Sequence, residues 1–491
     1  MFWNTVLSKS AYLLKRQIRL SSFLRVLSLN MAMVPGKPPN ILVQTVEEDI
    51  VLSKNLIKVL TSIVRKDKYV LYSASNEVLR QSAWKKNTLL LVMIKSEAFL
   101  SKNIEDYFQK GGKLLDLSAE NIQGFCKRLQ DKCFQGLDSE ETENFKTIFA
   151  QLGIDINQDC ETTVNDNIGY IISELRSLEA FLKQRSENEH DKIVKQSQMS
   201  LDFGCLQTYQ AENYLPIYPG DQCQLYDHQL FTSHLQTKHL GRILLYVPVI
   251  SSSMAPFEGK PLGHGFTVVP GRQSSGVGRG GNKWLSPPGC SMFSMQICFK
   301  LDTFLGRRPS LIQHLVALAQ VAVLRDDDSS SHLDFRIKWP NDIYFGQTKI
   351  GGVVVKSSIC RDELAITVGA GINLNNSNPT LCINQILQNG GCQVLQQEVF
   401  QARVFNKLEE IIEKCSSNDY STVEKLYYKY WLHSGQQIVV RSSASDTEVT
   451  VIGIDEFGFL RVKDTNDVEF SVMDDGNSFD MMEGLVRPRD Q

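Results

Sequence analysis

Gly276-Val277-Gly278-Arg279-Gly280-Gly281-Asn282-Lys283-Trp284-Leu285-Ser286 is the stretch on which the reading of this chain turns. Four glycines, one arginine and a tryptophan in eleven residues exclude a regular helix or strand. Glycine loses the most conformational entropy on folding, so a cluster of them needs a local reason. One such reason is the close approach of backbone amides to an anion, with an arginine supplying fixed charge. The glycines at 276, 278 and 281 also satisfy the dinucleotide spacing G-x-G-x-x-G, but that fingerprint requires a helix to open directly from the glycines. Here Pro287-Pro288 follows almost at once and forbids one. The Gly-Lys-Ser/Thr ending of a P-loop is not present at this loop either. The reading left is a loop that covers an anionic ligand, with Arg279 as its charge.

Downstream, Phe335, Ile337 and Trp339 alternate with charged residues, which predicts a half-buried strand. Pro340 ends it and Asn341-Asp342 turns the chain, placing Lys338 and Asp342 at a strand end. Lys349-Ile350-Gly351-Gly352-Val353-Val354-Val355 predicts a further strand against which something packs closely. Leu364 to Val368 leads into Gly369-Ala370-Gly371-Ile372-Asn373, whose small residues leave room for a ligand.

These segments, with Val249-Ile250-Ser251-Ser252-Ser253 and Gln273-Ser274-Ser275 before the glycines, resemble the biotin-protein ligases, called holocarboxylase synthetases in eukaryotes. The resemblance runs from about Phe231 to the C-terminus. Tyr427 to Gln437 (YYKYWLHSGQQ) and Asp475 to Met481 (DGNSFDM) are similar to the eukaryotic branch. It implies a multidomain α/β and α+β chain. The central part is a class II synthetase-like mixed sheet with helices (231–433), followed by a small β-barrel (434–491). It implies ATP-dependent transfer of biotin, through biotinyl-5′-AMP, to a lysine in the biotin-carrier domain of biotin-dependent carboxylases. Magnesium would arrive with ATP, held partly by phosphates.

Carried over position by position, the resemblance makes Arg279, Lys338, Asp342 and Lys349 the catalytic set. Ser252, Ser253, Gln273, Gly276, Gly278, Arg279, Gly280, Lys349, Gly369 and Gly371 face biotin. Arg279, Trp284, Asn341, Lys349 and Asn373 face ATP or the adenylate. Asp342 orients or deprotonates the incoming amine. Two departures stand out: Met254 replaces a polar asparagine of bacterial members, and Val277 replaces a basic residue common in the loop, with Arg272 and Lys283 flanking it. The competing readings are a lipoate-protein ligase and a non-catalytic scaffold. The glycine loop with Trp284 and the Lys338–Asp342 segment favours biotin, and the retained charges favour activity.

The rest of the chain sets bounds. At 491 residues and 42% hydrophobic it can bury more than one core. A net charge of −3 leaves no basic footprint for nucleic acid, and no DNA-binding helix-turn-helix of the bacterial relatives is visible. Eleven cysteines occur without a C-x-x-C pair and eight histidines form no ligand cluster, which predicts reduced thiols and no bound structural metal. Residues 1–38 carry Lys9, Lys15, Arg16, Arg19, Arg25 and Lys37 before the first acid, Glu47, among leucines and serines. This pattern predicts a mitochondrial presequence or a disordered segment, not a membrane span. Met31 and Met33 offer starts for a cytoplasmic form, so cytoplasm and mitochondrion are the expected locations.

Residues 39–160 read as an α/β domain with buried parallel strands at Ile41-Leu42-Val43 and Thr88 to Ile94 and a helix over Ile50 to Val64. Phe108 to Glu120 resembles the strand and turn of class I glutamine-amidotransferase domains. Ser118 stands at the nucleophile cysteine and the elbow glycines are missing, so the expectation is regulation or acceptor recognition without amidase activity. Residues 161–230 read as a linker and helical region. Leu311, Leu315, Leu318 and Ala322 predict an amphipathic helix on the ligase sheet. From Gln437 on, four short β-rich runs alternate with turns.

Overall fold

A computed structural model describes residues 25–27, 39–45, 50–65, 68–80, 84–85, 88–94, 101–109, 112–117, 139–156, 168–185, 192–204, 214–376, 381–417, 419–441, 446–473, 477–480 and 485–488. The chain divides into two compact units, Met1–Glu161 and Thr162–Gln491.

The first unit holds β1 (Arg25–Leu27), β2 (Asn40–Thr45), β3 (Val70–Ser75), β4 (Thr88–Met93) and β5 (Lys113–Asp116) in the order β1-β5-β4-β2-β3. β2 to β5 run parallel and β1 joins antiparallel. Alternate residues feed opposite faces: Ile41, Val43, Leu90, Val92 and Leu115 enter one core, and Leu42, Leu91, Met93 and Leu114 the other. Burial on both faces is why these strands read as unbroken apolar runs. On the first face, Leu52, Leu56, Val59, Leu60 and Ile63 form one stripe of the helix Ile50–Ile63. β1 lies inside the span read as presequence-like. Residues 1–24 and 28–38, and the Ser118-Ala119-Glu120 turn, lie outside the described residues.

The second unit is built on an eleven-stranded mixed sheet. Its strands are β6 (Gly169–Ser173), β7 (Ile193–Lys195), β8 (Ser200–Asp202), β9 (Tyr214–Pro219), β10 (Ile243–Ile250), β11 (Phe266–Gln273), β12 (Cys290–Lys300), β13 (Phe335–Lys338), β14 (Asp342–Phe345), β15 (Thr348–Cys360) and β16 (Glu363–Asn373). The order is β13-β14-β15-β16-β12-β11-β10-β6-β9-β8-β7.

Two expectations are corrected here. The span 161–230, read as linker and helix, contributes four strands beside the helix Leu175–Arg185. β6 pairs antiparallel with β10, and β9 extends the sheet with Leu215 and Ile217 buried on alternate positions. Each of these strands is six residues or shorter, so surrounding polar sequence outweighs the period-two signal. The helix Leu311–Arg325 is not amphipathic in place. It is buried on nearly every side, Gln313, His314 and Gln320 included, between the sheet and the helices Gln397–Ser416 and Tyr420–Tyr430. A second helical layer covers the face that the spacing assigned to solvent.

The chain ends in β17 (Gln437–Arg441), β18 (Asp446–Ile454), β19 (Leu460–Asp464), β20 (Glu469–Val472), β21 (Asn477–Asp480) and β22 (Leu485–Pro488), ordered β20-β19-β18-β17-β22-β21. Among the described residues no pairing joins β20 to β21, so the predicted barrel is seen as a six-stranded sheet. Ile438, Val449, Val451, Leu460 and Val462 enter the same core as the large sheet. No helix among the described residues is long and apolar enough to cross a membrane.

Candidate active site

β10 and β11 run parallel, with Ile250 opposite Gln273, so their carboxyl ends open side by side. That edge is where open α/β sheets place ligands. Gln273 organises it. Its Oε1 accepts from the Ser253 backbone N–H at 2.7 Å and from Ser253 Oγ at 3.1 Å. Its Nε2 donates to Ser286 Oγ at 3.3 Å and contacts Met292 Sδ at 3.1 Å. Ser253 Oγ also lies 2.7 Å from Ser294 Oγ. The result is a fixed cluster of hydroxyl and amide groups at the head of the cleft. Ser294 was not found from sequence, because only the β11–β12 register brings it there.

The glycine stretch folds as a hairpin rather than an irregular loop. Val277 bridges Lys283, Trp284 N–H donates to Gly276 O at 2.8 Å, and Gly278 N–H donates to Asn282 O at 2.6 Å. Gly280 turns the tip at φ 66°, a conformation glycine adopts without cost. A Cβ on Gly276 would sit 2.6 Å from Trp284 O. Gly276 and Gly280 thus shape the hairpin and do not line the cleft, whereas Gly278 and Arg279 do. Trp284 lies over Gly371, where a Cβ would meet the indole Nε1 at 2.9 Å. Gly369 likewise makes room for Met254, with Sδ at 2.9 Å from a Cβ built there. Val277 is half-exposed on the cleft wall, and Lys283 shares that wall. Burial holds the Lys283 ammonium below its usual range.

Facing the hairpin is a charge cluster. In the β13–β14 pair Lys338 stands opposite Asp342, and in the β14–β15 pair Asp342 stands opposite Gly352. Lys349 Nζ lies 2.5 Å from Asp342 Oδ1, and Lys338 Nζ lies 3.9 Å from Oδ2. Burial pushes the Asp342 carboxyl upward, but Lys349, Lys338 and Arg279 outweigh it and hold the group below the ordinary carboxylate range. Asp342 is therefore ionised at neutral pH and is a weak base; its geometry suits an anchor for two ammonium groups. Asn341 lines the cleft, with Nδ2 donating to Val353 O at 2.5 Å.

The cleft has a cavity volume of about 220 Å³, somewhat below the usual range of small-molecule sites, about 300–1,000 Å³. Of the residues singled out in the sequence, Ser252, Ser253, Gln273, Gly278, Arg279, Trp284, Lys338, Asn341, Asp342, Lys349, Gly369 and Gly371 line it. Asn373 does not: its Nδ2 donates to Leu381 O at 3.3 Å and its Oδ1 accepts from Asn376 at 2.9 Å, so the amide holds the turn after β16. Residues that sequence reading missed are Asn282, Pro340, Gly352, Val353, Val354 and Ala370. Apolar strand residues carry no sign of which face meets a ligand. Among the described residues no group of three metal-ligating side chains occurs.

Behind Lys338, the Trp339 backbone N–H donates to His433 Nε2 at 3.0 Å, and His433 Nδ1 meets Gln436 Oε1 at 2.9 Å. Because Nε2 accepts, the proton sits on Nδ1. Burial pushes the His433 ring down to about 4, the Gln436 bond opposes that, and the Lys338 charge adds to it. The unfolded chain takes up this proton near pH ~6.5 and the folded chain only near 4, so stability falls as pH drops through that window. The slope is at most ~1.4 kcal/mol per pH unit. Urea unfolding between pH 4.5 and 7 should show this slope in the native protein and lose it in His433→Gln.

A model of the Biotin/lipoate A/B protein ligase family matches residues 249–373, and one of the Biotin protein ligase C terminal domain matches residues 433–482. The human protein named Biotin--protein ligase is 36% identical over 313 residues, 60% of this chain and 43% of that relative. The chain thus spans less than half of that relative's length. Biotin--protein ligase 2 of Arabidopsis thaliana is 33% identical over 274 residues, 52% of this chain and 80% of the relative. A solved biotin protein ligase from Aquifex aeolicus, in complex with biotin and ATP, is 20% identical, with 48% of this chain and 96% of that one covered at a TM-score of 0.37.

Proposed function

The chain belongs to the biotin–protein ligase family, and we propose that it joins biotin to a lysine in the carrier domain of biotin-dependent carboxylases, using ATP. The observation that carries this reading is one cleft in which the Ser253–Gln273 cluster, the Arg279 hairpin and the Lys338–Asp342–Lys349 cluster converge.

In the first half-reaction a biotin carboxylate oxygen attacks the α-phosphorus of ATP, the bond to the β-phosphate oxygen breaks, and pyrophosphate leaves. Such a transfer needs positioning and neutralisation of oxygen charge. Ser253 and Gln273 offer donors and acceptors to the ureido ring. Arg279, Lys338 and Lys349 supply positive charge, and Asp342 keeps the two lysines aligned. Magnesium fits as an ion carried by the triphosphate, since Asp342 is already engaged by two ammonium groups. In the second half-reaction a neutral acceptor amine attacks the carbonyl carbon of biotinyl-5′-AMP, AMP departs, and the amine's proton passes to solvent. Asp342, held ionised well below neutral pH, orients that amine rather than deprotonating it.

The first unit is read as a regulatory or acceptor-recognition domain without amidase activity, and the basic segment 1–38 as the address for a mitochondrial form beside a cytoplasmic one.

The test is to incubate the protein with labelled biotin, MgATP and a carboxylase carrier domain, beside Arg279→Ala. The native protein should label the carrier lysine. The variant should form adenylate about 10²-fold more slowly, a loss typical of one removed transition-state donor. Transfer of lipoate in place of biotin, or no transfer, would sink the reading.

A further inference from the structure

The cleft residues Ser252, Ser253 and Met254 open a tight turn that runs on to Glu258. Ala255 N–H donates to Ser252 O at 3.0 Å, Phe257 N–H to Met254 O at 3.1 Å, and Glu258 N–H to Ala255 O at 3.1 Å. These bonds make the segment a short rod, with the cleft at one end and Glu258 at the other. The far end is held by the hairpin of β7 and β8, which lies outside the 249–373 span. Ser197 N–H donates to Glu258 O at 2.6 Å, Gln198 Nε2 donates to the Glu258 carboxylate, and Gln196 Nε2 donates to Lys260 O at 3.1 Å. Gly259, at φ 145°, lets the two segments meet: a Cβ there would lie 2.4 Å from Gln196 Oε1 and 3.0 Å from Ser197 N. Lys356 Nζ, from β15, reaches the same Glu258 carboxylate at 3.3 Å. Midway, Phe257 packs edge-on against Phe266, which stacks on Phe181 of the helix Leu175–Arg185. The rod is thus gripped at its end by residues 196–198 and at its middle by Phe266 of β11, itself backed by Phe181.

We infer that the β7–β8 hairpin is a positioning element for the biotin end of the cleft, with Gln196 and Gln198 setting biotin affinity through Glu258 and the Ser252–Glu258 turn. This rests on the ligase reading above. Neither glutamine lines the cleft, so their influence passes through the rod. Slackening the grip moves Ser252 to Met254 and leaves Lys338, Asp342 and Lys349, whose positions are set by the β13–β14 and β14–β15 pairings.

The test compares the full-length native protein with Gln196→Ala/Gln198→Ala. Calorimetric titration with biotin alone should show an affinity about fivefold weaker in the variant, equivalent to roughly 1 kcal/mol. In turnover, KM for biotin should rise by the same factor, with KM for ATP and kcat at saturating biotin unchanged. A variant that merely folded less completely would lose kcat and keep both KM values. Native protein that binds no biotin overturns the ligase reading and this inference with it. Native binding with unchanged variant affinity overturns the hairpin's role alone.

Discussion

Lys349→Met is expected to slow biotinyl-adenylate formation by about 10²–10³-fold, the range seen when one fixed charge donor is removed from a developing oxyanion. Lys349 is placed for this by two features. Its ammonium lies on the cleft wall opposite Arg279's hairpin, and Asp342 holds it at 2.5 Å. Without Lys349 the carboxylate keeps Lys338 at 3.9 Å, and its proton affinity rises because the nearer of its two ammonium partners is gone. Two defects therefore arise together, a missing cation and a softened anchor. Pyrophosphate release with saturating biotin and MgATP is the measurement. Lys349→Arg separates the defects, since it keeps charge but changes shape. A rate within threefold of native for Lys349→Met would assign the lysine to structure alone.

Trp339→Ala should destabilise the second unit by about 3–5 kcal/mol, the usual cost of deleting a fully buried large aromatic. Trp339 is fully buried, and its Nε1–H donates to Gly458 O at 3.0 Å. The deletion leaves a cavity, an unpaired carbonyl and a loosened turn between Lys338 and Asn341. Trp339→Phe keeps much of the volume but leaves the buried Gly458 carbonyl without its donor, for which about 1–3 kcal/mol is expected. Urea unfolding followed by fluorescence reads both. Equal stability of Trp339→Ala and native would contradict the packing described.

The charged strand-end segment was legible because its chemistry is written in consecutive residues. Alternation marked Phe335, Ile337 and Trp339 as buried, and proline placed the turn that returns Asp342 against Lys338. The glycines were legible as special, but not for which purpose: 276 and 280 shape backbone while 278 meets the cleft. Contacts that depend on register were invisible. Ser294 reaches Ser253 only through the β11–β12 pairing, and Glu258 meets Ser197 across 61 residues of chain. Asn373 was misplaced for the opposite reason, since a local turn claims its amide before any ligand can. Short strands such as β6 and β9 stay hidden because their stability comes from neighbours rather than from their own pattern. The second helical layer over Leu311–Arg325 is tertiary information of the same kind.

The glycine hairpin closes on itself through main-chain bonds at 276–284 and 278–282, and its ascending arm is tied back, Ser274 N–H to Ile250 O and Ser275 N–H to Ser251 O. Its descending arm runs into Pro287-Pro288. Each of these bonds removes backbone freedom from the segment before any ligand arrives. Any gating would then be a swing of one stiff flap about its two short roots, and capture would draw little on the ligand's binding free energy to order eleven residues. On the proposed ligase reading, where the intermediate is a mixed anhydride, this would matter in time rather than in strength: a stiff flap would shut in one movement, leaving the bond exposed to water only as long as that movement takes.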